Sequence, residues 1–291
     1  MRPLFDVQFA GILEFSDCLQ MHKFAAFNCQ IVPAENAFLY AVSSSAFYGK
    51  GIFTTVAIYD SKPFLWQKHW LRLSENAKKI SIDLSEFPEQ KIKDSIFEII
   101  AENKITNGRA RLTFLDESSI SIWQTGHKGK TSLLINTADF RKTPEHFRLT
   151  VSPFRTNSTS PLANVKSCNY LENILAFDDG KAKGFDEAVR LNERGEIVST
   201  CMANVFWSKE GEMFTPSLET GCLAGTTREV VLENYSVKKV KTNLSELNEA
   251  DAIFLTSAGI GIVQVAQFQE KEFNRQLHEL TEILKTQTNT I

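Results

Sequence analysis

The stretch TNSTSPLANVKSCNYLEN, residues 156–173, decides how this chain is organised. Its first ten residues, 156–165, are polar and contain proline, a composition that predicts an irregular connector between two domains. Lys166 follows at once, and apolar residues at helical spacing predict a helix over 169–183. A lysine in such a place is usually a solvated cation, but a desolvated lysine can attack a carbonyl carbon. The surroundings of Lys166 therefore bear on both the fold and the chemistry.

On the amino-terminal side, the sequence predicts a domain over residues 24–155, preceded by an extension over 1–23. Runs of β-branched and aromatic residues predict strands, and regularly spaced apolar residues predict helices. The predicted strands are 52–60, 64–67, 109–115, 131–137 and 147–154. The predicted helices are 68–79 and 87–103.

On the carboxyl-terminal side, residues 166–291 are predicted to form a second domain. Its first helix, 169–183, is expected to have an apolar face that carries Leu171, Ile174, Leu175 and Ala182. The other predicted elements are two strands joined by a turn at 193–196, a hairpin over 205–216, a helix over 225–235 and two strands within 251–265. Because strands and helices do not alternate regularly, the sequence predicts an α+β fold of two domains, with mixed sheets and flanking helices.

The composition excludes several classes of protein. A formal net charge of −3 over 291 residues gives no basic surface for nucleic acid or for an acidic membrane. No apolar run approaches the ~18 residues that a membrane span needs, and early acidic residues argue against a secretory signal. The cysteines lack the spacing of metal-ligand pairs or of a disulfide framework, so we expect reduced thiols, no metal and a cytoplasmic location.

Two further motifs carry hydroxyl groups. Gly225-Thr226-Thr227 opens a predicted helix, where free backbone N–H groups favour an anion, although simple capping by threonine is the commoner role. Thr256 and Ser257 stand at the end of a predicted strand, where an ordinary turn is the simplest interpretation. A phosphate-bearing aldehyde would use both hydroxyl motifs and Lys166 together, so the three signals are stronger in combination.

Seven segments in order extend the pattern over about four fifths of the chain. They are YGKGIFTTVAIYDSKPFL, HWLRLSENA, RLTF, NSTSPLANVKSCNYLEN, GFDEAVRLNERGEIVSTCMANVFW, FTPSLETGCLAGTTREVV and DAIFLTSAGIGIVQV. In this order they resemble the class IV, or fold-type IV, pyridoxal-phosphate enzymes. That family includes aminodeoxychorismate lyases, branched-chain aminotransferases and D-amino-acid aminotransferases. The resemblance implies that the chain binds pyridoxal phosphate and a small-molecule substrate, and that it forms a homodimer.

The resemblance also assigns roles to individual residues. Lys166 matches the lysine that forms the Schiff base with the cofactor aldehyde, and later moves protons. Arg72 matches the arginine that holds the cofactor phosphate, for which a planar guanidinium is suited. Thr226 and Thr227 match the phosphate loop, and Ser257 falls in a second loop on the phosphate side. Asn204 matches a structural asparagine.

One position departs from the family pattern. Most members carry a glutamate five residues before the asparagine, where it pairs with the protonated ring nitrogen, and here that position is Ser199. Glu196 lies three residues earlier, and in a strand an odd offset places it on the opposite face. Three interpretations follow: a weaker catalyst, a reaction that needs less electron withdrawal, or a homologue that binds the cofactor without efficient turnover.

Local similarity favours the lyases within the family. Phe53-Thr54-Thr55 is similar to their motif, which makes Thr55 a candidate for proton transfer, although a core-facing strand residue is the alternative. The resemblance therefore implies conversion of 4-amino-4-deoxychorismate to 4-aminobenzoate and pyruvate, a step of folate biosynthesis. An aminotransferase of D- or branched-chain amino acids is the second hypothesis, and a cofactor-binding homologue without efficient turnover is the third. The candidates for binding the two substrate carboxylates are Lys50, Arg109, Arg111 and Arg155.

Overall fold

The computed structural model describes residues 21–118, 130–274, 279–280 and 283–284. Most of the predicted extension, 1–20, lies outside the described residues, while Met21 and His22 pair with the strand that ends at Ala138. The predicted α+β fold with mixed sheets is confirmed, because three sheets are flanked by short and medium helices. In the described part of the chain, no helix has the length and apolar character that crossing a bilayer requires.

The first sheet is antiparallel, with the strand order β2-β1-β6-β5-β3-β4. Its strands are β1 Phe24–Phe27, β2 Gln30–Pro33, β3 Gly51–Tyr59, β4 Lys62–Pro63, β5 Gly108–Asp116 and β6 Thr131–Ala138. Three helices belong to this half: α1 Ser44–Tyr48, α2 Trp66–Lys79 and α3 Glu89–Glu102. The isoleucines at helical spacing on α3 are fully buried against the sheet, as their spacing predicts: Ile92, Ile96, Ile99 and Ile100.

The predicted strand over 64–67 is wrong. Leu65 has a left-handed backbone (φ 54°), and α2 begins directly after it at Trp66. The aromatic residues that suggested a strand are used for packing and polar contacts instead. Trp66 stacks on Trp70 one turn later, and its indole N–H donates to Glu89 Oε1 (2.9 Å). Tertiary contacts have therefore overridden β-propensity here.

Two five-stranded sheets form the rest of the molecule, with orders β16-β15-β7-β8-β9 and β12-β11-β10-β13-β14. Their strands are β7 Arg148–Val151, β8 Glu187–Leu191, β9 Ile197–Thr200, β10 Asn204–Lys209, β11 Glu212–Pro216, β12 Val237–Val240, β13 Ala252–Ser257, β14 Gly261–Gln264, β15 Gln267–Phe268 and β16 Lys271–Glu272. The helices are α4 Leu171–Ala182, α5 Thr226–Asn234 and α6 Ser245–Glu249. Strand β7 pairs with β8, so the second group of sheets already begins ahead of the predicted connector at 156–165.

Helix α4 is not packed by the face that the sequence suggests. Its small residues Ala176 and Gly180 face β8, and a Cβ on Gly180 would lie 3.3 Å from the Cβ of Ala188. This close approach leaves Leu171 and Leu175 at least half exposed. The expectation that the larger apolar residues cover the core is therefore wrong, because the small face allows the helix to approach the sheet more closely.

The segment that follows the connector returns to the first sheet. Phe53 N donates to Lys166 O (2.9 Å), and Cys168 N donates to Gly51 O (2.8 Å). These bonds fix residues 166–168 along the start of β3. Lys166 thus lies at the junction between the first sheet and the two later ones.

Candidate active site

A cavity of about 1950 Å³ lies at this junction. It is lined by residues from both groups of sheets, and it contains every residue that the sequence singled out for cofactor binding or catalysis: Thr55, Arg72, Lys166, Ser199, Thr226, Thr227 and Ser257. Residues that are far apart in the sequence therefore share one site.

Lys166 is held by its own backbone. Its N–H donates to Asn76 Oδ1 on α2 (2.6 Å), and its carbonyl accepts from Phe53. The ammonium nitrogen lies 4.3 Å from the ring centroid of Phe53 and 4.8 Å from that of Tyr170. Burial, followed by the nearby charges of Arg72 and Arg111, lowers the pKa of Lys166 well below its ordinary value. A neutral amine is the form that can attack a carbonyl carbon.

Tyr170 also lines the cavity, although no sequence motif singled it out. Its hydroxyl donates to Cys201 O (3.3 Å), and its ring packs edge-on against Phe53. Burial is the main cause that raises the pKa of Tyr170 to about 12, so the phenol stays neutral and can donate a hydrogen bond. The available signal was an aromatic residue four positions after the lysine, directly before a helix.

The start of α5 forms the corner of the cavity that the resemblance assigns to the phosphate, called here the phosphate corner. Thr226 and Thr227 are buried there, and the first N–H groups of a helix have no carbonyl partner within the helix. Arg72 reaches the same corner, where its Nη1 donates to Ala224 O (3.2 Å). Burial lowers the pKa of Arg72 to about 10, so it remains a cation at neutral pH. This corner is suited to an anion.

Gly225 shapes the loop before α5. A Cβ at this position would overlap Asn204 Oδ1, so only glycine fits between the loop and the first residue of β10. Asn204 Nδ2 donates to Leu223 O (2.8 Å), which ties the loop to the sheet. The structural role that the resemblance implies for Asn204 agrees with this contact. Together, these contacts hold the amino end of α5 open toward the cavity.

A second finding that the sequence did not reveal is a buried network under this corner. Arg72 Nη2 donates to Thr54 Oγ1 (2.8 Å), and the same hydroxyl is hydrogen-bonded to His69 Nδ1 (2.7 Å). The other ring nitrogen, Nε2, faces Thr226 Oγ1 at 3.4 Å. Burial and the charges of Arg72 and Lys166 lower the pKa of His69 well below 6.5, which keeps the ring neutral. The network therefore links Arg72 through His69 to the first residue of α5.

Ser199 lies on the wall of the cavity that β9 forms. No carboxylate of β9 takes the place of the glutamate that most family members carry. Ser199 Oγ donates to Thr200 O (2.8 Å), and its cross-strand partner is Arg190. Glu196 accepts from Asn192 and Arg194, so it is engaged elsewhere, as its position on the strand predicts.

Another carboxylate of the cavity is buried. Glu187 accepts from the backbone N–H of Met202 (3.0 Å), and this bond fixes the turn after β9. Burial raises the pKa of Glu187 to about 6. Since its oxygens already serve the backbone, Glu187 acts as a support for the turn.

Comparisons with known proteins identify the family. Residues 51–268 match the sequence model described as "Amino-transferase class IV". The chain belongs to the class IV aminotransferase family. Two class IV relatives of known sequence carry different names. "Aminodeoxychorismate lyase" of Bacillus subtilis is 27% identical over 267 residues, which cover 89% of this chain and 91% of that protein. "Putative branched-chain-amino-acid aminotransferase" of Methanocaldococcus jannaschii is 28% identical over 267 residues, 89% and 92% respectively.

A solved structure shares the fold. The branched-chain aminotransferase of the archaeon Thermoproteus uzoniensis, determined with norvaline, superposes with a TM-score of 0.84. It is 23% identical, and the match covers 92% of this chain and 94% of that one. The predicted fold of the class IV enzymes is thereby confirmed.

Class IV enzymes depend on pyridoxal phosphate, and the residues of this cavity fit that group. An amine with a lowered pKa suits the aldehyde, and the start of α5 with Arg72 suits the phosphate. The buried hydroxyl of Thr256 has no hydrogen-bond partner among the described residues, and it lines the same cavity. Within those residues, no cluster of three or more His, Cys, Asp or Glu side chains is placed to hold a metal ion.

Proposed function

We propose that this class IV enzyme is a lyase that converts 4-amino-4-deoxychorismate to 4-aminobenzoate and pyruvate. The observation that carries the proposal is the positive charge around Lys166. Several arginines besides that of the phosphate corner line the cavity, among them Arg109, Arg111, Arg141 and Arg155. A substrate with two carboxylates needs several cations, because each buried carboxylate requires a partner. The name of the Bacillus subtilis relative supports the same reaction.

Arg111 is the arginine best placed beside the reactive amine. Its guanidinium lies 3.7 Å from the ring centroid of Phe53, the same ring that Lys166 approaches. Burial lowers the pKa of Arg111, yet the group remains a cation and would gain from an anionic partner. Lys50, the remaining cationic candidate, forms an ion pair with buried Asp116 (2.7 Å), so it is not available to substrate.

The proposed catalytic roles follow from these positions. Bound pyridoxal phosphate supplies an aldehyde that condenses with amines and a ring that accepts electrons. Lys166 Nζ would remove the proton next to the substrate nitrogen, because burial lowers its pKa well below the ordinary value and so favours the amine form, which can accept a proton. Thr55 is paired with Arg111 across β3 and β5, so both side chains point to the same face of the sheet. There the hydroxyl of Thr55 can assist protonation while Arg111 holds a carboxylate.

A pyruvate assay tests the proposal. We expect the holoenzyme to release pyruvate and 4-aminobenzoate from 4-amino-4-deoxychorismate in equal amounts, measured with a coupled dehydrogenase and by fluorescence. Thr55→Val should lower kcat by roughly a hundredfold or more, the usual contribution of a positioned proton donor. The matched control is Thr150→Val, a buried threonine of β7 that does not line the cavity. Absence of pyruvate at high enzyme concentration contradicts the proposal.

A class IV aminotransferase is the second candidate, since the Methanocaldococcus jannaschii relative is equally similar and carries that name. An aminotransferase would convert its cofactor to the pyridoxamine form when mixed with a D- or branched-chain amino acid. Loss of the visible absorbance on mixing, without any pyruvate from aminodeoxychorismate, would favour this candidate over the lyase.

We also propose that the protein is a homodimer. Among the described residues, exposed large apolar side chains are grouped in two places, the segment 38–48 and the face of α4 that is turned away from β8; Phe38 is 74% exposed and Leu171 68%. Exposed apolar groups of this kind mark surfaces that bind a partner. We expect a dimer in sedimentation velocity, shifted toward monomer by Phe38→Glu and by Leu171→Glu. Phe97→Glu on α3 alters a less exposed phenylalanine and should leave the dimer intact. A wild-type monomer would contradict the proposal.

A further inference from the structure

The part of the cavity formed by β8 and β9 has its own chemistry. In pyridoxal phosphate the ring nitrogen lies across the ring from the carbon that bears the aldehyde. With the aldehyde at Lys166 and the phosphate at Arg72 and α5, the nitrogen would face the remaining polar wall. Arg190 of β8 and Ser199 of β9 line this wall as a directly opposed pair.

Arg190 is almost fully buried, with only 3% of its side chain exposed. Its Nη1 donates to Asn173 Oδ1 (3.0 Å), and its Nη2 donates to Arg155 O and to Glu172 Oε2 (3.3 Å each). Three of the four terminal N–H groups are therefore bound by protein groups, which fix the guanidinium in place. Nε, by contrast, has no hydrogen-bond partner among the described residues.

An unpaired donor in a buried arginine is costly, because desolvation of the N–H is not compensated. Since Arg190 lines the cavity, a bound ligand can supply the missing acceptor. Ser199 Oγ does not accept from this N–H in the observed arrangement, and its own hydrogen is donated to Thr200 O. Arg190 thus offers an unused N–H donor and a positive charge at this wall. In most family members a glutamate at the position of Ser199 holds the protonated ring nitrogen instead.

We infer that Arg190 binds the ring nitrogen of pyridoxal phosphate in its unprotonated form, with Nε–H donating to the nitrogen lone pair. Ser199 leaves room for this contact and contributes no negative charge. A cation beside the ring disfavours a second positive charge on the nitrogen. The inference rests on the cofactor site and is independent of which reaction the enzyme catalyses.

The inference has a chemical consequence. A ring nitrogen without a proton withdraws electrons less strongly, so the enzyme is best suited to a reaction with another source of driving force. Formation of an aromatic product provides such a source in the proposed lyase reaction. Transamination has no comparable source, so Arg190 and Ser199 together disfavour it.

The protonation state can be measured directly. We expect the holoenzyme reconstituted with pyridoxal phosphate labelled with ¹⁵N in the ring to show the chemical shift of an unprotonated pyridine. The double variant Arg190→Leu/Ser199→Glu should move the shift to the protonated range, because a carboxylate then faces the nitrogen without a competing cation. Arg228→Leu is the matched control, since Arg228 is also a buried arginine with an unpaired Nε but does not line the cavity. Its spectrum should equal that of the wild type.

A binding experiment tests the contact between Arg190 and the ring nitrogen, and its first part uses only the wild-type protein. Wild-type apoenzyme should bind pyridoxal phosphate roughly ten- to a hundredfold more tightly than an analogue with carbon in place of the ring nitrogen, the usual effect of a hydrogen bond to a charged group. Arg190→Leu should bind both compounds equally. A protonated shift in the wild type overturns the inference, and so does equal wild-type affinity for the two compounds. Absence of lyase activity, by contrast, would affect only the proposed function.

Discussion

Replacing Lys166 with alanine should abolish the covalent link to the cofactor and reduce turnover by more than about 10⁴-fold. Lys166 is both the proposed attachment point and the proposed base, because burial, followed by the charges of Arg72 and Arg111, lowers its pKa well below the ordinary value and favours the amine form. Treatment with borohydride should add the mass of the reduced cofactor to the wild type alone, as measured by intact mass spectrometry. The lowered pKa predicts that the link also forms at neutral pH, without alkaline activation.

Lys142→Ala is the matched control for this experiment. Lys142 lines the same cavity, so the variant also removes a lysine from the site. It should keep the reducible link and the added mass. Peptide mapping should place the label on Lys166. A label on another lysine, or a label retained by Lys166→Ala, would contradict the proposed attachment.

The second large effect concerns the phosphate corner. Arg72→Ala should weaken pyridoxal phosphate binding by roughly a hundredfold or more, because the charge-assisted hydrogen bonds that we propose between the guanidinium and the phosphate would be lost. The variant also removes the hydrogen bond that Arg72 Nη2 donates to Thr54, so the buried network with His69 loses one of its members. Equilibrium dialysis of the apoenzyme against the cofactor measures the effect.

A ligand without phosphate provides the control. Pyridoxal should bind the wild type and Arg72→Ala with similar affinity, because it cannot contact the guanidinium. Arg72→Lys should recover only part of the affinity, since an ammonium does not offer a planar pair of donors. If Arg72→Ala weakened pyridoxal and pyridoxal phosphate equally, the arginine would have a structural role only.

Local patterns were sufficient to predict most of the fold. Predicted helices at 87–103 and 225–235 match α3 and α5 to within two residues, because their apolar spacing and turn residues agree with their tertiary surroundings. The errors at 64–67 and on the outer face of α4 have one cause. In both places the residues that pack against an apolar side chain come from distant parts of the chain. Local spacing carries no information about them.

The site shows the same division. The positions of Lys166 and Thr226 were predictable from motifs and from a family resemblance, and both line the cavity. Arg190 was not predictable, because its role depends on Ser199, the residue across the sheet, which local spacing does not reveal. His69 was missed for a similar reason: its partners come from β3 and α5, which are remote in sequence.

Helix α2 fixes the distance between two parts of the proposed cofactor site. His69, Arg72 and Asn76 lie at spacings of three and four, on one side of the helix, and they contact the threonine of α5, the phosphate corner and the backbone of Lys166, respectively. One helix therefore contacts both the phosphate corner and the reactive lysine. The separation between the corner proposed for the phosphate and the amine proposed for the aldehyde is thus fixed within one element of the fold, before the cofactor binds.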